Sequence, residues 1–592
     1  MHISRLALLR LNAPLLFALA APLLLAQPAP PRRQIVVDNG SQTAQYTTLA
    51  AAQDASAPGD IIVVAASQTP YSGGIVLKEG QELRGAEGAS VDSITIAKDV
   101  VITGIAAGSI SGTPDGHLRI SSVKIRNVKL AGGAGEIVLD KFVIDAASVN
   151  DAIVIQRVTG SVTLSGGTIR NTAGHAIDID GAENVTIRDT SLIDDAGRNG
   201  VSAGTCAGNV RLAQITLCNA PLFLQNATNV TLEKVVVSGS AQLGIGAENV
   251  NGLRMTDVEV KNAGNEPDES GVVLRNTGGD VVITGCRFHD SAGRELHIVN
   301  TKTDAHVGVD HCTFAHGDSM LAQALIAEVS GNASLTLDVT GSTINGGGGN
   351  GLHATATESG KLVLHVDSST FERAAGAILA GVSGTATLDF SITGNKIRHS
   401  ALSAINVSST GTGDVHGTIV RNEISGADRG ASCGGCGGIV LMSSLGGRMS
   451  ASADSNTIAQ LEGPAIRATA LGKSDLRIAI SGNTIREPLP AADAAAIQVQ
   501  SGGTKTDTAA VCADVHDNTI TGTWSPETAP VVFWNRFPGT TFKVAGFTGA
   551  GKSAAAVATY AGRNNRGARA EAKLTNDPAG NAFAGGDRCV TP

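Results

Sequence analysis

Six ionisable residues between positions 178 and 297 are of the types that carry acid–base chemistry on sugars. Two carboxylates about 5 to 9.5 Å apart can hydrolyse a glycosidic bond, one of them as the acid. A basic side chain can instead take the proton beside a uronate carboxylate while a cation neutralises that carboxylate. If the protein is an enzyme, the predicted catalytic residues are Asp178, Asp180, Asp194, Asp195, Arg275 and His297.

Three further carboxylates, Glu266, Asp268 and Glu269, fall on one predicted loop. Calcium prefers several oxygen ligands, chiefly carboxylates and carbonyls. This loop is therefore the predicted site for a Ca²⁺ ion, and no other cofactor is predicted. A second interpretation stays open for all nine residues, because charged side chains on an exposed sheet usually serve solvation and edge protection.

A short phrase containing Asn recurs through the second half of the chain and predicts the element that must position these residues. The Asn positions are 27, 34, 27 and 35 residues apart. This period matches one coil of a β-solenoid, in which coils stack about 4.8 Å apart. Asn also tolerates the left-handed conformation and can bond to the equivalent Asn above and below. The repeated residues are Asn395, Asn422, Asn456, Asn483 and Asn518.

A second strand precedes the phrase in each coil, and its first apolar residue follows Ala or Gly. That apolar residue must point inward, so alternation sends the next side chain outward onto one exposed parallel sheet. The sequence therefore predicts a long outward face, which includes Asp178, Ser202, Val273, Asn406, Arg467 and Gln498.

Composition and the N-terminus predict an exported all-β protein. The chain has 73 Gly and only 3% aromatic residues among 592, which suits short strands and tight turns. Arg5 and Arg10 precede an apolar run, as in a signal peptide over 1–26, followed by a linker over 27–34. The run is too short for a membrane span, so no transmembrane segment is expected in the mature chain. The expected location is secreted, cell-surface or periplasmic.

Residues 46–85 resemble the N-terminal cap of the pectate-lyase-like right-handed β-helix superfamily. A helix capped by Thr47 or Thr48 leads into Pro58-Gly59-Asp60, a strand, a loop at Tyr71 and the strand end Leu83-Arg84-Gly85. The resemblance implies an all-β, single-stranded right-handed parallel β-helix, or β-solenoid, with an N-terminal helix cap and a C-terminal cap. The helix is expected over 35–525.

The segment 526–592 is similar to the terminal segments of large exported bacterial β-helix proteins of adhesin type. In those proteins the last coil bears a Cys and the chain ends in Gly-Gly followed by Cys, which here implies a pair between Cys512 and Cys589. An Ala-rich helix is expected around 554–561. The segment is accordingly the predicted C-terminal cap.

Eight Cys in an exported chain favour disulfides. Cys286 and Cys312 precede equivalent strands of successive coils, which brings their Cα atoms within the roughly 4.4–6.8 Å that a bridge requires. Cys433 and Cys436 are predicted to form a disulfide that closes one short loop. A redox site and a zinc site are the alternatives for this pair, but the sequence lacks the context that either requires. The remaining predicted pair is Cys206 with Cys218.

Two functions stay open. The expected one is a non-catalytic, adhesin-like β-helix that presents its outward face to a polysaccharide or cell-surface glycan, since later outward positions are small or neutral. The alternative is a polysaccharide lyase or glycoside hydrolase acting on an acidic polysaccharide, which needs a cleft walled by the loops at 194–199 and 263–270. The net charge of −9 argues against nucleic acid as a partner.

Overall fold

The chain winds into a stack of coils whose strands pair in parallel with those of the next coil, forming a right-handed parallel β-helix. The part of the chain that the structure describes contains two α-helices, one in each cap. The computed structural model describes residues 32–145, 151–193, 220–316, 323–345, 348–426, 437–487, 495–522, 524, 529–548, 553–574 and 583–589.

Three parallel sheets run the length of the coils, and the first of them carries the candidate site on its outward side. Its inward residues, such as Ile177 and Leu296, are fully buried. The strands of this first sheet are Ile153–Gln156, Ile177–Asp180, Leu222–Gln225, Ile245–Glu248, Val272–Arg275, Arg294–Asn300, Gln323–Val329, Leu352–Ala356, Ile378–Gly384, Ile405–Gly411, Ile439–Ser444, Ile466–Ala470, Ile497–Ser501, Val531–Asn535 and Ala570–Leu574.

The other two sheets close each coil around one continuous apolar core. The strands of the second sheet are Val162–Ser165, Val185–Arg188, Thr228–Glu233, Asn251–Thr256, Gly278–Thr284, Asp304–Asp310, Ser334–Thr340, Lys361–Asp367, Thr387–Thr393, Asp414–Val420, Arg448–Asp454, Asp475–Ser481, Ala510–His516, Thr541–Ala545 and Ala584–Gly586. Those of the third are Thr168–Arg170, Ser191–Ile193, Val236–Ser238, Glu259–Lys261, Arg287–His289, Thr313–Ala315, Thr343–Asn345, Thr370–Glu372, Lys396–Arg398, Glu423–Ser425, Thr457–Ala459, Thr484–Arg486 and Thr519–Ile520.

The N-terminal cap has the predicted order of elements. Thr48 accepts a hydrogen bond from the Ala51 amide and begins the helix Leu49–Ala55. The buried Tyr71 donates to backbone carbonyls, which ties its loop to the first coils. The strands of the cap and first coils are Gln34–Val37, Ile61–Val64, Tyr71–Val76, Glu82–Gly85, Ser90–Thr95, Val101–Thr103, Ala106–Gly112, His117–Ala131 and Glu136–Asp145.

The predicted Asn ladder is present in the core. Asn422 donates from its backbone amide and from Nδ2 to Oδ1 of Asn456, at 2.9 and 3.0 Å, and the other members repeat this pattern. The left-handed φ falls one residue before the Asn, for example at Arg421 and Ser455, rather than on the Asn itself. The Asn side chains therefore join the coils by hydrogen bonds, and the residue before each Asn makes the turn.

The stacked sheets continue into the segment predicted as the C-terminal cap. Strands Val531–Asn535 and Thr541–Ala545 continue the first and second sheets past residue 525. The helix Ala554–Asn564 then covers the end, and Asn565 takes the next place in the Asn ladder through its bonds to Asn518. The last coil is thus capped by the same side-chain pairing that joins the coils before it.

The disulfide implied by the C-terminal resemblance is confirmed, whereas the pair predicted from stacking is not formed. Cys512 and Cys589 are bridged with their Cα atoms 5.4 Å apart. Cys286 and Cys312 are two buried free thiols. Stacked coils hold equivalent side chains about 4.8 Å apart, beyond the roughly 3.5–4.5 Å between Cβ atoms in a disulfide, so satisfying the Cα distance was not sufficient. The remaining predicted cysteines, Cys206, Cys218, Cys433 and Cys436, lie outside the described residues.

Candidate functional site

The outward face consists of two columns of side chains in register on the first sheet. The predicted outward positions fall in one of them, apart from Ser202, which lies outside the described residues. The first column is Asp178, Phe223, Gly246, Val273, His297, Ile326, His353, Leu379, Asn406, Val440, Arg467, Gln498, Val532 and Glu571. The second is Asp180, Gln225, Glu248, Arg275, Val299, Glu328, Thr355, Gly381, Ser408, Met442, Thr469, Gln500, Trp534 and Lys573.

The structure does not bring the predicted catalytic residues together. Four coil steps separate Asp178 from His297, which is about 19 Å at about 4.8 Å per coil. Three steps separate Asp180 from Arg275. The other two predicted carboxylates, Asp194 and Asp195, lie outside the described residues. Asp178 and Asp180 therefore cannot share one reacting centre with Arg275 and His297.

The Asp178 side chain is half-buried near the N-terminal end of the outward face. Burial raises its pKa, and the charge of His175 acts against that rise. The ring of His175 stacks on Phe223 with centroids 5.1 Å apart. Asp180 accepts a hydrogen bond of 2.8 Å from Asn226 Nδ2 in the next coil. The bond from Asn226 fixes the Asp180 carboxylate and accounts for it as part of the inter-coil bonding.

His297 and Glu328 form the main contact of the site. His297 Nε2 lies 3.0 Å from Glu328 Oε2, and the His297 side chain is only 1% exposed. Burial lowers the pKa of His297 and favours its neutral form. A carboxylate only accepts hydrogen bonds, so the neutral ring donates from Nε2 and keeps its lone pair on Nδ1. That Nδ1 is buried and has no hydrogen-bond partner among the described residues.

Two arginines lie beside this pair. Burial lowers the pKa of Arg275, whose Nη1 lies 3.7 Å from Glu248 Oε1. Burial also lowers the pKa of Arg294, while the nearby charges of Glu328 and Asp268 favour its cation. Nε and Nη1 of Arg294 are buried and find no acceptor in the part of the chain that the structure describes. Arg294 as a whole is partly exposed on the face, so its side chain is the candidate contact for a group bound there.

His353 completes the group two coils beyond His297 in the same column. Burial lowers its pKa, and the charges of Glu328 and Arg294 also act on it. We call these five residues the central cluster: Arg275, Arg294, His297, Glu328 and His353. Sequence analysis singled out Arg275 and His297 but missed Glu328 and His353. Their outward places could have been found from the alternation in Gln323–Val329 and Leu352–Ala356.

A buried network holds the start of the strand that carries His297. The Glu295 carboxylate is fully buried and accepts from Ser291 Oγ at 2.7 Å and from the Ser291 amide at 3.1 Å. His316 Nδ1 lies 2.9 Å from the same carboxylate. This network fixes the turn before Arg294, and it thereby positions the strand that carries Arg294 and His297.

The loop at 263–270 uses one of its predicted calcium ligands for its own closure. Glu269 Oε2 accepts from the amides of Asn265 and Glu266 at 2.5 and 2.8 Å, and burial raises its pKa. Within the described ranges, no three His, Cys, Asp or Glu side chains are grouped to hold a metal ion. Calcium binding by Glu266, Asp268 and Glu269 stays a prediction.

Comparison with known proteins supports the fold. Residues 151–314 match the family model described as right handed beta helix region. The chain is similar to PfbA, a surface adhesin of Streptococcus pneumoniae, at 13% identity and a TM-score of 0.27, covering 62% of this chain and 85% of that one. No curated protein matches the sequence. The matched coils include Asp178, Arg275 and His297.

Two enzymes are also similar in structure. The family 28 exopolygalacturonase of Yersinia enterocolitica shares 10% identity with a TM-score of 0.27, covering 80% of this chain and 78% of that one. The PL6 family alginate lyase AlyGC shares 10% identity with a TM-score of 0.21, covering 94% and 100%. In the described residues of this chain, neither helix has the length and apolar character needed to cross a membrane.

Proposed function

We propose that the protein is an exported β-helix that binds an acidic polysaccharide on the outward face of its first sheet, with the central cluster as the principal contact. The observation that carries this proposal is Arg294, a partly exposed arginine of the face whose Nε and Nη1 have no acceptor in the described chain. A uronate carboxylate offers two acceptor oxygens in the geometry that a guanidinium prefers. The Cys512–Cys589 disulfide supports export, because such bridges persist in oxidising compartments.

A non-catalytic, adhesin-like role agrees with the rest of the face. From Thr355 to Gln500 in the second column, the outward residues are small or uncharged. Such a surface can hold a long sugar chain mainly through hydroxyl and amide contacts, and Arg467 is the only Arg, Lys, Asp or Glu that the two columns contain in those coils. Binding to a surface glycan therefore requires no chemistry at the central cluster.

The His297–Glu328 contact favours a second candidate function, β-elimination of the bound uronate. The His297 ring is 1% exposed, so this reaction requires that binding uncover it. His297 Nδ1 would then take the C5 proton, Glu328 would orient the ring through Nε2, and Arg294 would neutralise the carboxylate. The electron pair of the broken C5–H bond forms the C4–C5 double bond, and the C4–O bond breaks as the leaving sugar oxygen takes a proton back from the His297 imidazolium. This division between base, orienting group and neutralising group is the usual one for proton abstraction beside a carboxylate.

The test measures binding and cleavage in the same samples. We expect the purified mature protein to bind polygalacturonate, alginate or hyaluronate but not neutral dextran, and we expect Arg294→Gln to weaken binding at least tenfold. Arg448→Gln is the matched control, because Arg448 is an exposed arginine on the second sheet, paired with Asp414. Equal binding by both variants and the wild type would contradict the proposal.

Ultraviolet absorbance of the unsaturated uronate product then separates the two functions. Product that forms with the wild type and is lost in His297→Gln, with binding retained, would establish elimination. Binding with no unsaturated product from any polysaccharide in the panel would exclude elimination of these substrates. If no new reducing ends form either, the adhesin-like function is established.

A further inference from the structure

Trp534 and Arg536 lie at the C-terminal end of the outward face. Trp534 occupies the column of Glu328 and is half-buried. The guanidinium carbon of Arg536 lies 4.5 Å from the Trp534 ring centre and 5.4 Å from that of Phe537. A cation held against an indole in this way is stabilised by the ring and has little freedom to move. We call Trp534 and Arg536 the distal pair.

Arg536 resembles Arg294 in two properties. It is partly exposed, and its Nε meets no acceptor from the residues that the structure describes. Arg467 lies in the neighbouring column two coil steps before Val532, and burial lowers its pKa. The distal end of the face therefore carries two partly buried arginines and an aromatic ring, and these are groups that recognise the carboxylate and the apolar face of a uronate.

The distal pair is separated from the central cluster by an uncharged stretch. Seven coil steps connect Glu328 to Trp534, which is about 34 Å at about 4.8 Å per coil. Before Arg467, the outward residues of the two columns beyond His353 contain no ionisable group. They are Thr355, Leu379, Gly381, Asn406, Ser408, Val440 and Met442.

This stretch still offers hydrogen bonds to a neutral part of a ligand. Thr355, Asn406 and Ser408 are polar residues of this stretch and are partly exposed on the face. Sugar hydroxyls are donors and acceptors that can bond to such side chains. The face thus presents an ionic contact at each end and polar contacts between them.

We propose that the distal pair is a second subsite for a uronate unit of the same polysaccharide chain, which runs along the helix axis from the central cluster to the C-terminal cap. The proposal rests on the proposed function for its first contact. Two linked contacts on one ligand raise affinity without new chemistry, commonly by a factor of about 10² to 10⁴ when the chain can span both. A trisaccharide is too short to span the two sites and gains nothing from this linkage.

The test compares long and short ligands of one chemistry, namely polymeric polygalacturonate, alginate and hyaluronate and the trisaccharide of each. We expect the wild type to bind its preferred polymer at least tenfold tighter than the trisaccharide. Arg536→Gln should remove most of that difference while leaving the melting temperature unchanged, since it keeps the indole and its packing. Trp534→Phe should have an intermediate effect, and Arg448→Gln should have none.

Each outcome decides between the proposals. Polymer affinity in Arg536→Gln equal to that of the wild type overturns the distal subsite, even when Arg294→Gln weakens binding as the proposed function requires. Weakening by Arg536→Gln with no effect of Arg294→Gln keeps a distal site and overturns the central one. A wild type that binds none of the three polymers overturns both.

Discussion

Replacing one member of the Asn ladder should destabilise the coils on either side of it by a calculable amount. Asn456 is fully buried. Its Oδ1 accepts from the Asn422 amide and from Asn422 Nδ2, and its Nδ2 donates to the Ile419 carbonyl and to Asn483 Oδ1, all at 2.9 to 3.0 Å. Asn456→Ala removes all four of these bonds.

The largest cost falls on the Asn422 amide, which loses its bond to the Asn456 side chain inside the core. The Ile419 carbonyl also loses a bond, but it stays in the parallel ladders on both sides of its strand. An orphaned buried polar group costs about 1–3 kcal/mol, which is the loss expected here. Solenoid coils depend mainly on their neighbours, and the loss should therefore be local.

The chain supplies its own control for this variant. Ser342 occupies the same position in an earlier coil, and its Oγ accepts the Cys312 amide at 3.1 Å. Asn456→Ser can keep that acceptor, so we expect less than half the loss seen in Asn456→Ala. Hydrogen exchange of the peptides that span 415–460 measures both variants. Exchange in Asn456→Ala as slow as in the wild type would refute the reasoning.

Further predictions concern the central cluster and the C-terminal cap. Because the pKa of His297 is lowered in the folded protein, the unfolded chain binds more protons at acid pH, and the stability that depends on neutral His297 is lost as the pH falls below about 6.5. Denaturation at several pH values should show a steeper acid loss in the wild type than in His297→Gln, and parallel curves would contradict this. The paired substitution Cys512→Ser and Cys589→Ser should destabilise the cap by about 2–4 kcal/mol, detected as faster proteolysis of the last coils, and an unchanged cleavage rate would contradict it.

Sequence periodicity predicted the ladder and the outward face because both depend on local rules. The phrase around Asn422 and Asn456 recurs at coil length, and alternation from Ile405 places Asn406 outward, so no long-range information is needed. The implied pair Cys512–Cys589 depended on a resemblance at the C-terminus. Stacking alone placed Cys286 beside Cys312 but gave no account of Cβ direction, and so it failed.

The site was harder to predict because it depends on the number of coils between two residues. Leu192 and Val237 are 45 positions apart and pair directly, whereas Val237 and its next partner Val260 are only 23 apart. His297 and Glu328 are 31 positions apart yet lie in adjacent coils. Arg294 and His353 both lie near the Glu328 carboxylate because their side chains reach across neighbouring coils. Spacing along the chain does not reveal this proximity.

The most direct test of the account is hydrogen exchange of the mature protein with and without the acidic polymer it binds best among polygalacturonate, alginate and hyaluronate. The account predicts protection in the first-sheet strands Arg294–Asn300, Gln323–Val329 and Leu352–Ala356, with no change in the second-sheet strand Arg448–Asp454. Protection confined to the second sheet, or no protection anywhere at saturating polymer, would contradict the claim that the outward face of the first sheet binds an acidic polysaccharide.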